Sequence, residues 1–548
     1  MELSTRPGPA FSLSSMPMEE RAGVRRSNIP GPCTFTEEFC HAPKFRGKRL
    51  EIHVTLRYAG SHHMKHLLCA AVLGGLLLSG FNATAENRIS SKTTLPKIRV
   101  AADGRTFETV QGTPYVPFGV SYFHPGTGWA PQVWKKFDAE VTRKDFAQMK
   151  ELGVNCARVF LTYGSFYSKP GTLVPEGLAK FDQFLVIAEE VGIYVHPTGP
   201  DHWEGSPSWA QPDRYADDKA LDAVETFWKL FAARYKGRSV IFAYDLLNEP
   251  EMGWDTPALK TKWNRWLQDR YGSAEKIQAA WHVNAVDGFP GAVAAPEPVD
   301  ALGNIRLLDY QRFRDEKAVE WTRRQVQAIK SADPQAMVTV GLIQWSVPAA
   351  LPAIKHYAAF RPASQAPLLD FVTIHFYPLA NGAFEYKDDA SEEQNLAYGE
   401  CVVRQAALCG KPVVLGEFGW YGGGKPRFDG DKHPAASEEQ QARYCRRLVE
   451  TTYGLATGWL NWGFFDTPES TDPSQFIGLV TSDGTLKAWG REFQKLAAQY
   501  KGKVTPIPHL GPRPAMPWEE CVTGMQAVNE YRAEYLRAYQ KDKSRKRP

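Results

Sequence analysis

Two glutamates stand where apolar runs give out. The stretch AYDLLNEPE carries Asn248 and Glu249, and VVLGEFGW carries Glu417. Each carboxylate ends a run suited to a buried strand, where an unpaired charge has no place, and a turn residue, Pro250 or Gly419, follows. Two such carboxylates facing each other across one rim, about 5 to 5.5 Å apart, are what double displacement at a glycosidic bond needs. One attacks the anomeric carbon, while the other protonates the leaving oxygen and then activates water. Singly, NEP also reads as a helix start with a first-turn acid, and GEFG says less still. Only the two together point to this chemistry.

The elements that must bring them together begin near Leu95, where IRVAADGRTFETVQGTPYVPFGVSY reads as a hairpin-like pair of strands turning at Asp103-Gly104 and near Gly112-Thr113. Strands are then expected at Val116 to Ser121, Cys156 to Leu161, Ile193 to Pro197, Ile241 to Asn248, Met337 to Gly341, Phe371 to His375, Pro412 to Glu417 and Trp459 to Phe464. Amphipathic helices fall between them, among them Arg143 to Leu152, Leu178 to Val191, Ala220 to Tyr235, Ser437 to Leu455 and Leu486 to Tyr500. Eight strands alternating with helices predict an α/β fold, a single (β/α)8 TIM barrel, whose working groups sit at the C-terminal ends of the strands. No GxGxxG follows the first strand, which argues against a doubly wound sheet. The long interval between strands four and five predicts extra helices, Leu259 to Tyr271 and Leu307 to Ser331, over the top face. Past Tyr500 come a proline-rich linker and a helix from Glu519 to Lys541, a short C-terminal extension too small for a core of its own.

Further positions join the pair. GVNCARVF puts Arg158 on the second strand, IHFYP puts His375 and Tyr377 at the sixth, and GWLNWGFF puts Trp462 at the eighth. With these residues the chain resembles glycoside hydrolase clan A, and most of all the cellulase-type family 5, over roughly Ile98 to Tyr500. The resemblance implies Glu249 as acid/base and Glu417 as nucleophile of a retaining β-glycosidase. It also implies a substrate-binding set of Arg158, His202, Asn248, His375, Tyr377 and Trp462. Physically, Arg158 and Tyr377 suit holding Glu417 as an anion, and that charge in turn raises the pKa of Glu249. Asn248 would bond the sugar 2-hydroxyl, and Trp462 would lie flat beneath the ring. The third strand departs from the family pattern: in IYVHPTGPDHWEG one histidine comes early and one late. His202, beside Trp203 and Glu204, is the better placed for sugar, and His196 reads as a packed strand residue. Trp203, Trp209, Trp254, Trp345 and Trp420 follow strands and are expected as exposed rings able to stack on sugars.

The expected substrate is a β-linked polysaccharide or oligosaccharide of β-glucan or β-mannan type. The alternative is an exo-acting β-galactosidase or β-mannosidase of the same clan, because WNRWLQDRYGSAEKIQAAW resembles family 42 β-galactosidases and an added helical layer could wall off one end of the cleft. A carbohydrate-binding barrel without catalysis would need neither glutamate. No His-x-His follows the first strand, so neither metal nor cofactor is expected.

The remaining features set the context. The net charge of +4 over 548 residues, with Arg25, Arg26 and the run Lys541 to Arg547 at the ends, gives no reason to expect nucleic acid. Residues 64–85, MKHLLCAAVLGGLLLSGFNATA, have the basic start, short apolar run and small-residue ending of a secretory signal peptide, too short for a permanent membrane span. Residues 1–63 then read as a non-native or disordered extension, 86–500 as the catalytic domain, and 501–548 as linker and helix. A secreted or periplasmic location follows. Five cysteines lie beyond residue 85, allowing one or two disulfides, Cys401 to Cys409 closing the shortest loop, and Cys156 reads as a buried free thiol.

Overall fold

The computed structural model describes residues 95–127, 132–378, 386–427, 433–503 and 512–546. The expected extension and signal peptide, 1–63 and 64–85, lie outside them. Among the described residues no helix is long and apolar enough to cross a membrane.

Three short strands, β1 (Ile98–Val100), β2 (Phe107–Thr109) and β3 (Pro114–Tyr115), form an antiparallel sheet. Its turns are the two expected from the sequence. Asp103 accepts the backbone N–H groups of Arg105 and Thr106, and Gly112 closes the second turn at φ 85°, a conformation that favours glycine.

Eight parallel strands follow and close into a barrel: β4 (Phe118–Ser121), β5 (Cys156–Thr162), β6 (Tyr194–Asp201), β7 (Tyr244–Asn248), β8 (Val338–Leu342), β9 (Val372–Phe376), β10 (Val413–Phe418) and β11 (Gly458–Asn461). Every residue of these strands is buried, because one face fills the barrel and the other packs on helices. The expected TIM barrel is therefore present, with strand ends shifted. β6 runs on to Asp201 rather than stopping at Pro197. β11 stops at Asn461 rather than Phe464, since the Asn461 side chain donates to the carbonyls of Gly463 and Ile477 and turns the chain out of the sheet.

The outer helices are α1 (Ala139–Glu151), α2 (Pro175–Val191), α3 (Asp218–Arg234), α4 (Pro257–Tyr271), α5 (Ala274–Trp281), α6 (Ile305–Ala332), α7 (Asp389–Ala407), α8 (Glu438–Thr452) and α9 (Ala488–Tyr500). Between β7 and β8 the added layer is α4, α5 and the first half of α6, joined by Trp263, Trp281, Tyr310 and Phe313. The second half of α6 is an ordinary barrel helix beside α3, where Gln325 accepts from the Trp228 indole and Arg324 pairs with Asp222 and Glu225.

The C-terminal segment is tied to the barrel. Its helix α10 (Met525–Lys546) buries Tyr531, Tyr535 and Tyr539, and the Tyr535 hydroxyl donates to Glu400 of α7 at 3.0 Å. A helix with no core of its own thus shares the barrel's. All five described cysteines are free, so the bridges allowed by the sequence are not formed. Cys401 faces the Tyr531 hydroxyl, whereas the Cys409 thiol turns back to the Gln405 carbonyl. Cys156 is a buried thiol, as expected.

The small sheet plugs the barrel at the start of its strands: the Phe107 ring meets Phe242 and Phe371 edge-on at 5.3 and 5.2 Å. Phe107→Ala should therefore cost about 3–5 kcal/mol of stability, read by thermal or urea unfolding. Turnover at 25 °C should be unchanged, because the plug is at the end opposite the strand C-termini.

Candidate active site

Parallel strands put all their C-terminal ends on one rim, and the residues singled out from the sequence collect there. Arg158 of β5 is fully buried and reaches two other strands, β7 and β10. Its Nη1 donates to Glu417 Oε1 at 2.5 Å, and its Nη2 donates to Asn248 Oδ1 and Asp245 Oδ2, both at 2.8 Å. The Tyr377 hydroxyl donates to Glu417 Oε2 at 3.0 Å. His375 Nδ1 lies 3.0 Å from Glu249 Oε1 and 3.7 Å from Glu417 Oε2, so the ring stands between the two carboxylates. One His375 nitrogen and one oxygen each from Glu249 and Glu417 lie within 4.8 Å of one another. These are donor types that suit a cation, but the Arg158 guanidinium already supplies one to Glu417.

Asp245 was not anticipated. Besides two bonds from Arg158, its carboxylate accepts from the Thr198 hydroxyl at 3.0 Å and the Gly341 backbone N–H at 2.7 Å. Burial works against the charge on Arg158, yet Asp245 and then Glu417 outweigh it and hold its pKa above the ordinary value. The sequence did carry a signal: an Asp inside the apolar run AYDLL and an Arg inside CARVF must find each other if both strands line one interior. Gly341 sits against this pair. A Cβ there would come within 3.0 Å of both Arg158 Nη2 and Asp245 Oδ2.

Glu417 feels opposing influences. Burial raises its pKa above the usual carboxylate value, His375 and Arg158 lower it, and the Glu249 charge raises it again. His375 is itself pushed down to about 4, chiefly by burial, so near neutral pH it is uncharged and Arg158 is the cation that acts on Glu417. The expected anion-holding contacts are in place, but they work against burial. Tyr377 is pushed well up by burial and then by Glu417, which keeps its hydroxyl a donor.

Glu249 follows β7 with φ 45°, left-handed for a residue that is not glycine, a conformation that costs of order 1–3 kcal/mol unless its surroundings enforce it. Its backbone N–H donates to the Gly341 carbonyl at 2.8 Å. Two residues on, Glu251 is pushed up to about 8 by burial, with the Glu249 charge adding to the shift.

Trp462 closes one side. Its indole donates to the Ser474 hydroxyl at 2.8 Å, and its ring packs with Phe123 and Phe160, the latter also meeting Trp203 at 4.7 Å. Of the rings expected to be exposed, Trp203, Trp345 and Trp420 are buried, because the long loops after the strands fold back over the rim. Trp209 and Trp254 are half-buried. His202 stands outside the Arg158 network, partly exposed at the end of β6, with Nδ1 2.5 Å from Asp201 Oδ1. His196 is a packed residue, its Nδ1 2.7 Å from the Ala243 carbonyl.

The family model "Cellulase (glycosyl hydrolase family 5)" matches residues 109–465. No curated protein matches by sequence. Among solved structures, the chain is similar to an exo-β-1,4-mannosidase from Opitutaceae bacterium strain TAV5, at 18% identity and TM-score 0.53, covering 73% of this chain and 62% of that one. It thus spans about three-fifths of that enzyme. It is also similar to a subfamily 18 member of family 5 from Streptomyces cattleya in complex with Manβ1-4GlcNAc, at 17% identity and TM-score 0.56, covering 78% and 92% of the two chains. A β-galactosidase from the haloarchaeon Halorubrum lacusprofundi follows at 17% identity and TM-score 0.52, covering 70% and 57%.

Two outcomes follow from the site's electrostatics. Asp245→Ala leaves the Arg158 charge buried with one anionic partner fewer, so stability should fall by about 3–5 kcal/mol, read by chemical unfolding. His196 and His375 are both pushed down to about 4 by burial, so the folded chain takes up fewer protons than the unfolded one between about pH 4 and their ordinary value near 6.5. The melting temperature should drop as pH falls through that window, and less steeply in His196→Gln.

Proposed function

The chain belongs to the cellulase family of glycosyl hydrolases, family 5, and from that premise we propose that it is a retaining β-glycosidase with Glu249 as acid/base and Glu417 as nucleophile. The observation that carries this reading is the approach of the two carboxylates: an oxygen of each lies within 4.8 Å of the other. That spacing suits covalent capture of a sugar, since inverting enzymes leave a wider gap for water.

In the first step a Glu417 oxygen attacks C1 as Glu249 gives its proton to the departing glycosidic oxygen. The C1–O bond breaks and a glycosyl ester on Glu417 forms. In the second, Glu249, now a carboxylate, takes a proton from water, whose oxygen attacks C1 and frees Glu417. Arg158 and Tyr377 donate to Glu417 whenever it carries charge, and so stabilise it as the leaving group of the second step. His375 Nδ1 meets Glu249 Oε1 at 3.0 Å, and uncharged near neutral pH it helps orient that carboxyl beside Glu417. Asn248, its Oδ1 engaged by Arg158, has its amide left to meet the sugar 2-hydroxyl, and Trp462 gives the ring an apolar face.

Depth favours action at a chain end, the alternative raised by the sequence. Glu249 is 4% exposed and Glu417 1%, and three of the tryptophans expected as exposed sugar platforms, Trp203, Trp345 and Trp420, are buried. A terminal sugar reaches carboxylates that deep more readily than the middle of a β-glucan or β-mannan. Among terminal sugars a β-mannoside is the first to try, since an exo-β-1,4-mannosidase is among the similar structures. Export agrees with the apolar segment at 64–85.

The test is direct. Glu249→Ala and Glu417→Ala should fold, lose turnover of aryl β-glycosides, and be rescued by azide with opposite anomeric products. Full activity in either variant would overturn the assignment. Aryl β-mannosides, glucosides and galactosides assayed beside soluble mannan and β-glucan read sugar and mode together. Activity on small glycosides without a fall in polymer viscosity is expected.

A further inference from the structure

The loop that carries Glu249 is held from outside the barrel. The five residues after β7, 249 to 253, would not keep a left-handed glutamate unaided, and four bonds fix them. The Glu249 N–H is bound to the Gly341 carbonyl and the Met252 N–H to the Ala358 carbonyl at 3.0 Å, while the carbonyls of Met252 and Gly253 both go to Arg314 of α6.

Arg314 is almost fully buried, and among the described residues its hydrogen bonds go to three main-chain carbonyls and one side-chain amide rather than to a carboxylate. Its Nε donates to Gly253 O at 3.1 Å, Nη2 to Met252 O at 2.5 Å and Tyr357 O at 2.9 Å, and Nη1 to the Gln311 side chain at 2.7 Å. Its guanidinium also lies 4.7 Å from the centroid of the Trp254 ring. A buried cation spent on three main-chain carbonyls from two loops works as a geometric fork, a task a point charge performs poorly. Gln311 then donates to the Val522 carbonyl at 3.0 Å, so the fork is seated on the C-terminal segment. That segment grips the second loop as well: Arg532 of α10 donates to Ala349 O at 2.6 Å and Leu351 O at 2.5 Å, and the Trp518 indole to the Tyr357 hydroxyl at 3.3 Å.

We propose that Arg314, seated by Gln311 on the C-terminal segment, is a positioning residue that holds the Glu249 loop so that its carboxyl meets the leaving-group oxygen. The proposal rests on the reading of Glu249 as acid/base. Its consequence is specific to leaving groups. Loss of the clamp weakens proton delivery and leaves Glu417, fixed by strands, in place.

The experiment compares kcat/KM for 2,4-dinitrophenyl glycosides, whose leaving group needs no proton, and phenyl glycosides, whose leaving group does, using the sugar that the wild-type protein accepts. In Arg314→Met the phenyl rate should fall on the order of 10²-fold, the effect of a misplacement near 1 Å, while the dinitrophenyl rate stays within a few-fold of wild type. Arg314→Lys and Gln311→Met should fall between, and they decide the matter if Arg314→Met does not fold. Equal losses on both substrates, or none, in Arg314→Met and Arg314→Lys overturn the clamp while a selective loss in Glu249→Ala leaves the acid/base reading standing. If Glu249→Ala itself shows no selectivity, it is the acid/base reading that fails.

Discussion

A guanidinium buried at the centre of the barrel constrains everything around it. Arg158 is fully buried, so the fold must bring it anions, and Asp245 and Glu417 come from strands two and three places away on its two sides around the barrel. A buried cation that loses a partner is strongly destabilising, so the network that sets Glu417 also pins the closure of β5, β7 and β10 around one axis. The crowding extends to Gly341, where the absence of a side chain lets Arg158, Asp245 and His375 approach. Small size on β8 is as much a part of the site as charge on β5.

The same network explains why the two carboxylates differ. Glu417 lies within β10, paired in register with His375 of β9, and takes its position from the sheet. Glu249 lies one residue past β7, in a left-handed conformation. A residue on a strand inherits the precision of the barrel, whereas a residue on a turn is only as well placed as the contacts that hold the turn. His375 stands 3.0 Å from Glu249 Oε1 and 3.7 Å from Glu417 Oε2, so its hydrogen bond goes to the carboxylate on the turn.

What the sequence made legible follows the same division. Strand periodicity, the order of Glu249 and Glu417, and Arg158, His375, Tyr377 and Trp462 were all readable because each sits in or next to a strand whose pattern announces it. Asp245 was within reach, as a charge inside an apolar run, but its partner became obvious only once two strands shared an interior. The tryptophans were misread: apolar residues on loops look exposed when the loop's path is unknown, and Trp203, Trp345 and Trp420 are covered by loops that return over the rim. Arg314 was invisible, because three of its four acceptors are backbone carbonyls, which leave no mark in side-chain identity.

The two kinds of support are unevenly spread along the chain. The strands that fix Glu417 and the helix α6 that carries Arg314 both lie within residues 109–465, the part matched by the family model, whereas the C-terminal segment on which Gln311 seats that arginine begins beyond residue 500. Glu417 is thus placed by the strands of the barrel, whereas the turn that carries Glu249 takes part of its support from outside the matched region. The added layers lie on the β7 and β8 side. The helix α6 and the segment around α10 occupy that side here, and their contacts converge on the carbonyls of Met252, Gly253 and Tyr357.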